Sequence, residues 1–244
     1  MLNNMLIPES LQQELLKKAT WGDALSFILS ANTGIAEWTL KAHILDMRST
    51  FWRLLLPKPV QGNILHIGSA DWGKNALALG KSASKITYWD NQEWRLRLVE
   101  IRLKESGLTN VEFINQTPQT SAGFDLVVIY DTSVIGGITG LPKVSPLLKT
   151  DGVLYINTAD SPRKYKQLLS GNGFDNITVY SPIPHYLHFN YIIPIDGKPI
   201  FQYRLEQMAT DELSRKLKRW AISILLRLGI LKYFMTNFSI IAHK

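Results

Sequence analysis

The chain has 244 residues, 45% hydrophobic and 19% charged, with no cysteine and a formal net charge of +7. That length suits one large domain, or one domain with additions, and the apolar share can fill a sizeable core, which excludes a disordered chain. The missing cysteines exclude disulfides, thiolate metal sites and cysteine nucleophiles, and no run reaches the roughly 18 uninterrupted apolar residues of a membrane span.

Residues 1–58 read as a helical extension. Pro8-Glu9-Ser10 is a start signal, and Leu11, Leu15 and Leu16 follow at helical spacing. A second helical pattern runs from Ile35 to Leu56 through Trp38, Leu40, Ile44, Leu45, Met47 and Phe51, until Pro57 and Pro59 stop it. The opening MLNNMLIPESLQQELLKK has no basic region followed by an apolar one, so no secretory signal and a cytoplasmic location are expected.

Residues 59–244 read as one α/β domain. Asn63 to Ile67 is a short apolar strand that runs into Gly68-Ser69-Ala70-Asp71-Trp72-Gly73, with a helix beginning near Trp72. Lys85 to Trp89 is a second strand ending in Asp90, followed by a helix stopped by Gly107. Val111 to Ile114, Asp125 to Tyr130 and Gly152 to Ile156 are further strands. The fourth has almost no polar alternation, as expected of a strand buried on both faces. Strands alternating with helices argue for a doubly wound parallel sheet, whose ligands bind at the carboxyl ends of the strands.

The first strand-to-helix turn is therefore the place to look. Gly68 and Gly73 permit backbone that side chains forbid, and the helix that follows would aim free N–H groups into the crevice. Asp90, at the end of the neighbouring strand, is placed to accept both hydroxyl protons of a ribose. The plainer readings are a tight turn that binds nothing and an Asp90 that caps the helix from Asn91.

The order ILHIGSADWGKNALAL, ITYWD, NVEF, FDLVVIYD, LLKTDGVLYI and GFDNITVY resembles the motif series of class I S-adenosylmethionine (SAM)-dependent methyltransferases, over about residues 59–195 and the final FSIIAHK. The resemblance implies a seven-stranded Rossmann-like sheet whose last strand, Phe238 to Ala242, inserts antiparallel, with SAM across the first two strands. It places Gly68, Ser69, Ala70 and Gly73 in the cofactor turn, Asp90 on the ribose flanked by Trp89 and Asn91, and Asn115 and Gln116 beside the adenine. It implies methyl transfer to a small-molecule or lipid- or sugar-linked acceptor. Three positions depart from the family pattern. His66 stands where an acid is usual, the loop is not GxGxG, and Asn115-Gln116 replace an acid; Asp71 offers a displaced carboxylate.

Candidates for the transfer step follow the later strands. Asp131 closes the fourth strand at the crevice, whereas Asp125 at its start reads as structural. His185, Tyr186 and His188 lie in PIPHYLHFNY, where family members often place substrate-facing residues; packing or surface roles are the plainer reading. No HExxH-like cluster points to a metal.

Residues 195–236 break the alternation as a helical insertion before the last strand. From Lys198 to Lys244 there are nine Lys/Arg against three Asp/Glu, a net of +6, so the rest of the chain is nearly neutral. Charge confined to one tail does not favour a nucleic-acid partner. Over 211–232 a stripe of Leu213, Leu217, Trp220, Ile224, Leu228 and Leu231 accompanies Arg215, Lys216, Lys218 and Arg219. Such a helix can close over the sheet as a lid, meet a protein partner, or lie on an anionic membrane surface, which would make the protein membrane-peripheral. Two other functions stay open: a non-catalytic binding or scaffold subunit of the same fold, which the altered loop fits, and an NAD(P)-dependent oxidoreductase, which the absent GxGxxG spacing disfavours.

Overall fold

The computed structural model describes residues 7–31, 37–118, 123–185, 188–196, 200, 220–225, 227 and 237–244. The extension forms α1 (Glu9–Leu16), α2 (Trp21–Ser30), α3 (Glu37–Leu45) and a 3-10 segment, Met47–Leu55. The helix expected to run through Ile35–Leu56 is broken at Asp46. Its backbone is extended there (φ −70°, ψ 114°), and its carboxylate accepts from the Arg48 N–H at 2.9 Å, which starts the 3-10 turns afresh.

The domain continues as β1 (Asn63–Ile67), α4 (Lys74–Leu79), β2 (Lys85–Trp89), α5 (Glu93–Glu105), β3 (Val111–Ile114), β4 (Phe124–Ile129), α6 (Leu141–Val144), β5 (Leu148–Thr158), α7 (Pro162–Gly171), β6 (Asp175–His185), β7 (His188–Pro194) and β8 (Phe238–His243). The sheet order is β3-β2-β1-β4-β5-β8-β6-β7. Strands β1 to β5 pair in parallel, and β8 enters antiparallel between β5 and β6.

Two expectations are corrected. The sheet has eight strands, not seven. The extra strand comes from the stretch expected to carry substrate-facing residues; it pairs antiparallel along β6 from His185↔His188 to Tyr180↔Pro194. Pro182 and Pro184 fall beyond the β8 pairing, which ends at Tyr180, so their missing N–H costs no bond to β8. The first crossover helix begins at Lys74 rather than near Trp72. Trp72 (φ 58°) and Gly73 (φ 79°) both hold left-handed backbone, which a right-handed helix cannot include.

Side chains on one face of the sheet, among them Val127, Ile129, Leu154, Ile156 and Ile240, pack in a cluster with Leu141 and Val144 of α6 and Tyr165 and Leu169 of α7. The other face packs Ile64, Tyr88, Val128 and Tyr155 with residues of α4, α5 and the 3-10 segment, where Trp52 stacks on Tyr155 at 3.8 Å between ring centroids. A third cluster joins the extension to the domain: Leu15, Ile28, Leu40 and Ile44 surround Trp72 of the crossover and Trp94 and Leu98 of α5. No helix among the described residues is long and apolar enough to cross a membrane. The lid and membrane readings of 211–232 lie outside the described residues, except at 220–225 and Arg227.

Candidate functional site

The strand order reverses between β1 and β4, so the crevice of interest lies above Ile67 and Ile129. Gly68 leaves β1 at φ 88° and donates its N–H to the Trp89 carbonyl at 2.8 Å. A Cβ at Gly68 would stand 2.5 Å from the Asp131 Cβ and 2.7 Å from its backbone nitrogen. This glycine is therefore required by the close approach of the end of β4, whatever binds above it.

Two buried carboxylates flank the turn. Asp90 is 0% exposed; one oxygen accepts the Ser69 N–H at 2.6 Å and the other the Gln92 N–H at 2.8 Å. Burial pushes its carboxyl up from the ordinary value, against the lowering pull of those two N–H groups and of the nearby Arg95 charge. The bond to Gln92 closes a turn ahead of α5, which starts at Glu93 with Gln92 rather than Asp90 as its N-cap, and the bond to Ser69 ties the crossover to β2. Asp131 accepts from the Ser133 N–H at 3.0 Å and its hydroxyl at 2.6 Å, and pairs with Arg95 Nη1 at 3.1 Å. Arg95 is thus the ion-pair partner of Asp131, and its charge also favours the ionised form of Asp90. The sequence carried a sign of it, an arginine in the first turn of α5, where the helix dipole disfavours a positive charge unless an acid is at hand.

Behind the turn is a second buried polar group. Asp71 accepts the Gly73 N–H at 3.0 Å, the Asn75 N–H at 2.8 Å and the Tyr88 hydroxyl, and lies 3.3 Å from His66 Nε2. Burial pushes its carboxyl up, but His66, Tyr88 and the Asn75 N–H outweigh that and hold it well below the usual range. Asp71 is the internal staple of the crossover, not a carboxylate offered to the crevice. Asn75 continues the network by accepting from Trp52 Nε1 at 2.9 Å. Gly73 faces α5, where a Cβ would meet Val99 at 3.1 Å and Leu103 at 3.3 Å.

The remaining candidates are spread along the carboxyl edge. Asn91, Asn115 and Gln116 are exposed, Ala70 is half-buried and Ser69 buried. A hollow of about 140 Å3 at the same edge is lined by Trp89, Thr117, Val134, Ile135, Lys143 and Val144, and by none of these candidates. That is below the roughly 300–1,000 Å3 of drug-sized ligand sites, and suits a flat ring rather than a whole nucleoside conjugate. The backbone of His185 ends β6, separated from β1 by β4, β5 and β8. Tyr186 lies outside the described residues. Asp125 accepts the Asn63 N–H at 2.8 Å and pairs with Lys149 at 2.9 Å, at the opposite end of the sheet. No group of three or more His, Asp or Glu among the described residues is arranged to hold a metal ion.

The structure therefore gathers Gly68, Ser69, Asp90 and Asp131 around the switch point, with Arg95 added, and turns Asp71 and Gly73 inward. No family model and no curated protein matches the sequence. Solved structures do. The cyclase SpnF is 16% identical with a TM-score of 0.51, covering 86% of this chain and 83% of that one. A SAM-dependent O-methyltransferase from Thermotoga maritima is 19% identical with a TM-score of 0.47, over 80% of this chain and 64% of that one, so this chain spans less than two thirds of its length. A sarcosine dimethylglycine methyltransferase assigned in Galdieria sulphuraria is 14% identical with a TM-score of 0.48, over 87% and 88%. The likeness to SpnF is one of fold, an α/β Rossmann-like sheet, and a shared fold does not decide the chemistry.

Proposed function

We propose that this chain binds SAM over the carboxyl ends of β1 and β2 and directs its methyl group to a small-molecule or lipid- or sugar-linked acceptor. The observation that supports this best is the 2.6 Å bond from the Ser69 N–H to Asp90, which makes the first crossover and the acid one strand away a single rigid unit. Each Asp90 oxygen accepts one N–H, and an ionised carboxylate has about four acceptor positions, so capacity for ribose hydroxyls remains. In this reading the hollow lined by Trp89 and Thr117 takes the base, and the exposed Asn115 and Gln116 face the adenine while Asn91 flanks the ribose.

SAM, when bound, supplies an electrophilic methyl group. The chain's own part is to orient the acceptor and to take up a proton from it where one is lost. Asp131, fixed by Arg95 and Ser133 at the crevice, is the positioned acceptor for that proton. His185 and Tyr186 are assigned to the substrate side.

One observation favours a second reading, a non-catalytic binding or scaffold subunit. The Gly73 and Asn75 N–H groups, which a nucleotide-binding turn would aim outward, are both held by Asp71. Calorimetric titration with SAM, S-adenosylhomocysteine and NAD separates the possibilities. SAM and its demethylated product should bind and NAD should not, with Asp90→Ala weakening SAM by about tenfold or more through lost charge-assisted hydrogen bonds. Heat from none of the three ligands would leave the scaffold reading; heat from NAD alone would establish a different cofactor.

A further inference from the structure

Six large apolar side chains stand exposed among the described residues, and four of them fall within 38–54: Trp38 (73%), Leu45 (42%), Phe51 (39%) and Leu54 (72%). On α3, Trp38 and Leu45 share the outer face with Lys41, at spacings of three and four residues. On the 3-10 segment, Arg48, Phe51 and Leu54 are each three residues apart, which a three-residue turn brings into one row.

These rows are rigidly presented. Leu40, Ile44 and Trp52 bury the inner faces of the same elements. Lys74 Nζ donates to the His43 carbonyl at 2.7 Å, and Arg102 Nη1 to the Ile44 carbonyl at 3.1 Å, so the end of α3 is bolted to the domain and its outer side chains cannot fold inward.

We infer that this outer face of α3 and the 3-10 segment docks on an anionic lipid surface. Tryptophan and leucine interleaved with lysine and arginine are the make-up of an interfacial element, whose apolar side chains enter the headgroup boundary while the cations meet lipid phosphates. The centre of a protein–protein interface is depleted of lysine, unlike this face. Glu37 pairs with Lys41 at 2.7 Å and Asp46 with Arg48, so these four charges cancel and the excess positive charge of the segment lies on Arg53 and the exposed Lys58. Residues 37–58 carry four Lys/Arg against two Asp/Glu, a local net of +2 that complements an anionic leaflet. The other exposed tryptophan, Trp220 (66%), stands in the basic C-terminal segment, and Arg227 there is exposed too. The inference does not depend on SAM binding.

Co-sedimentation of the full chain with vesicles tests it, using phosphatidylcholine alone and phosphatidylcholine mixed equally with phosphatidylglycerol. The parent chain should pellet with the mixed vesicles, less so as salt is raised, and hardly at all with phosphatidylcholine alone. Trp38→Ser with Leu54→Ser should lower the partition by about tenfold, with an unchanged circular dichroism spectrum because both side chains are exposed. Lys41→Glu with Lys58→Glu, which touches no apolar group, should weaken binding to the mixed vesicles by about tenfold as well. Equal pelleting of the parent and the double serine variant overturns the inference and leaves any binding to the C-terminal segment. Equal binding to both vesicle types overturns it too. So does a lipid-free dimer that the serine variant dissociates, since the face would then be covered by a second copy.

Discussion

Lys74 offers the most exacting test of how the extension is joined to the domain. It opens α4, is 0% exposed, and donates to the His43 carbonyl at 2.7 Å. Burial pulls its ammonium down from 10.5 to about 8; Asp71 and Asp46 resist that and Arg102 adds to it. The unfolded chain therefore binds this proton more tightly, and between those values it carries more protons than the folded chain, so stability rises with pH across that window. At ~1.4 kcal/mol per pK step, the drop from 10.5 to about 8 amounts to about 3 kcal/mol in full. About 2 kcal/mol of it should appear between about pH 7.5 and about pH 9.5. The window ends before the buried tyrosines intervene, because burial raises the phenols of Tyr88 and Tyr155 and they oppose folding only above about 10. Lys74→Met keeps an unbranched stem and removes the titration. It deprives the His43 carbonyl of this donor, a loss of about 1–3 kcal/mol that offsets the relief of no longer burying a charge. The diagnostic quantity is thus the slope, read from urea unfolding by tryptophan fluorescence at several pH values. The parent midpoint should climb and the Lys74→Met midpoint stay level. A variant that climbs as steeply as the parent, or a parent that stays flat, would refute the assignment of a buried charge at the end of α3.

Three further outcomes follow from the crossover. Gly68→Ala combines left-handed backbone with a Cβ 2.5 Å from that of Asp131 and should lower stability by about 3 kcal/mol, measured by urea unfolding; a loss below about 1 kcal/mol would mean that β4 can retreat. Tyr88→Phe removes a hydroxyl donor from buried Asp71 and should cost about 2 kcal/mol at neutral pH. The Asp71 carboxyl is held below its ordinary 3.8, so its contribution is present above that value and lost as pH falls below it; Tyr88→Phe should therefore move acid unfolding, followed by near-ultraviolet circular dichroism, to higher pH. Arg102 Nη1 donates to both the Ile44 and Trp72 carbonyls, so hydrogen exchange in the presence of SAM should show protection in 37–45 as well as in 68–72, and protection confined to the crossover would disprove that coupling.

The layered architecture was legible because its signals are local. The unbroken apolar run of β4 and the glycine after β1 each occupy a position that one rule of backbone chemistry explains. The extra strand β7 was not legible, because Pro182, Pro184 and Pro194 punctuate the stretch as a loop would, and only the sheet edge shows that the pairing tolerates them. The break at Asp46 was missed for a different reason. The apolar spacing continues past it, and a 3-10 turn differs from an α turn by less than one residue. Asp131 and Asp90 were recognisable at strand ends, whereas the pairing of Arg95 with Asp131, far apart in sequence, needed the tertiary fold.

The glycines carry a more general lesson for this site. Gly68 makes room for the backbone of Asp131, and Gly73 for Val99 and Leu103. Each is fully explained by the protein's own packing, so neither is independent evidence of a ligand, although both sit where a nucleotide turn would need them. Asp71 behaves similarly. It looks like a spare acid in the sequence, yet two backbone N–H groups, a phenol and an imidazole surround it. What distinguishes Asp90 is that its two N–H partners take only one acceptor position on each oxygen of a fully buried carboxylate. A nucleoside bound here would accordingly be held by Asp90 and its neighbours rather than by the glycine turn, whose shape the packing already requires.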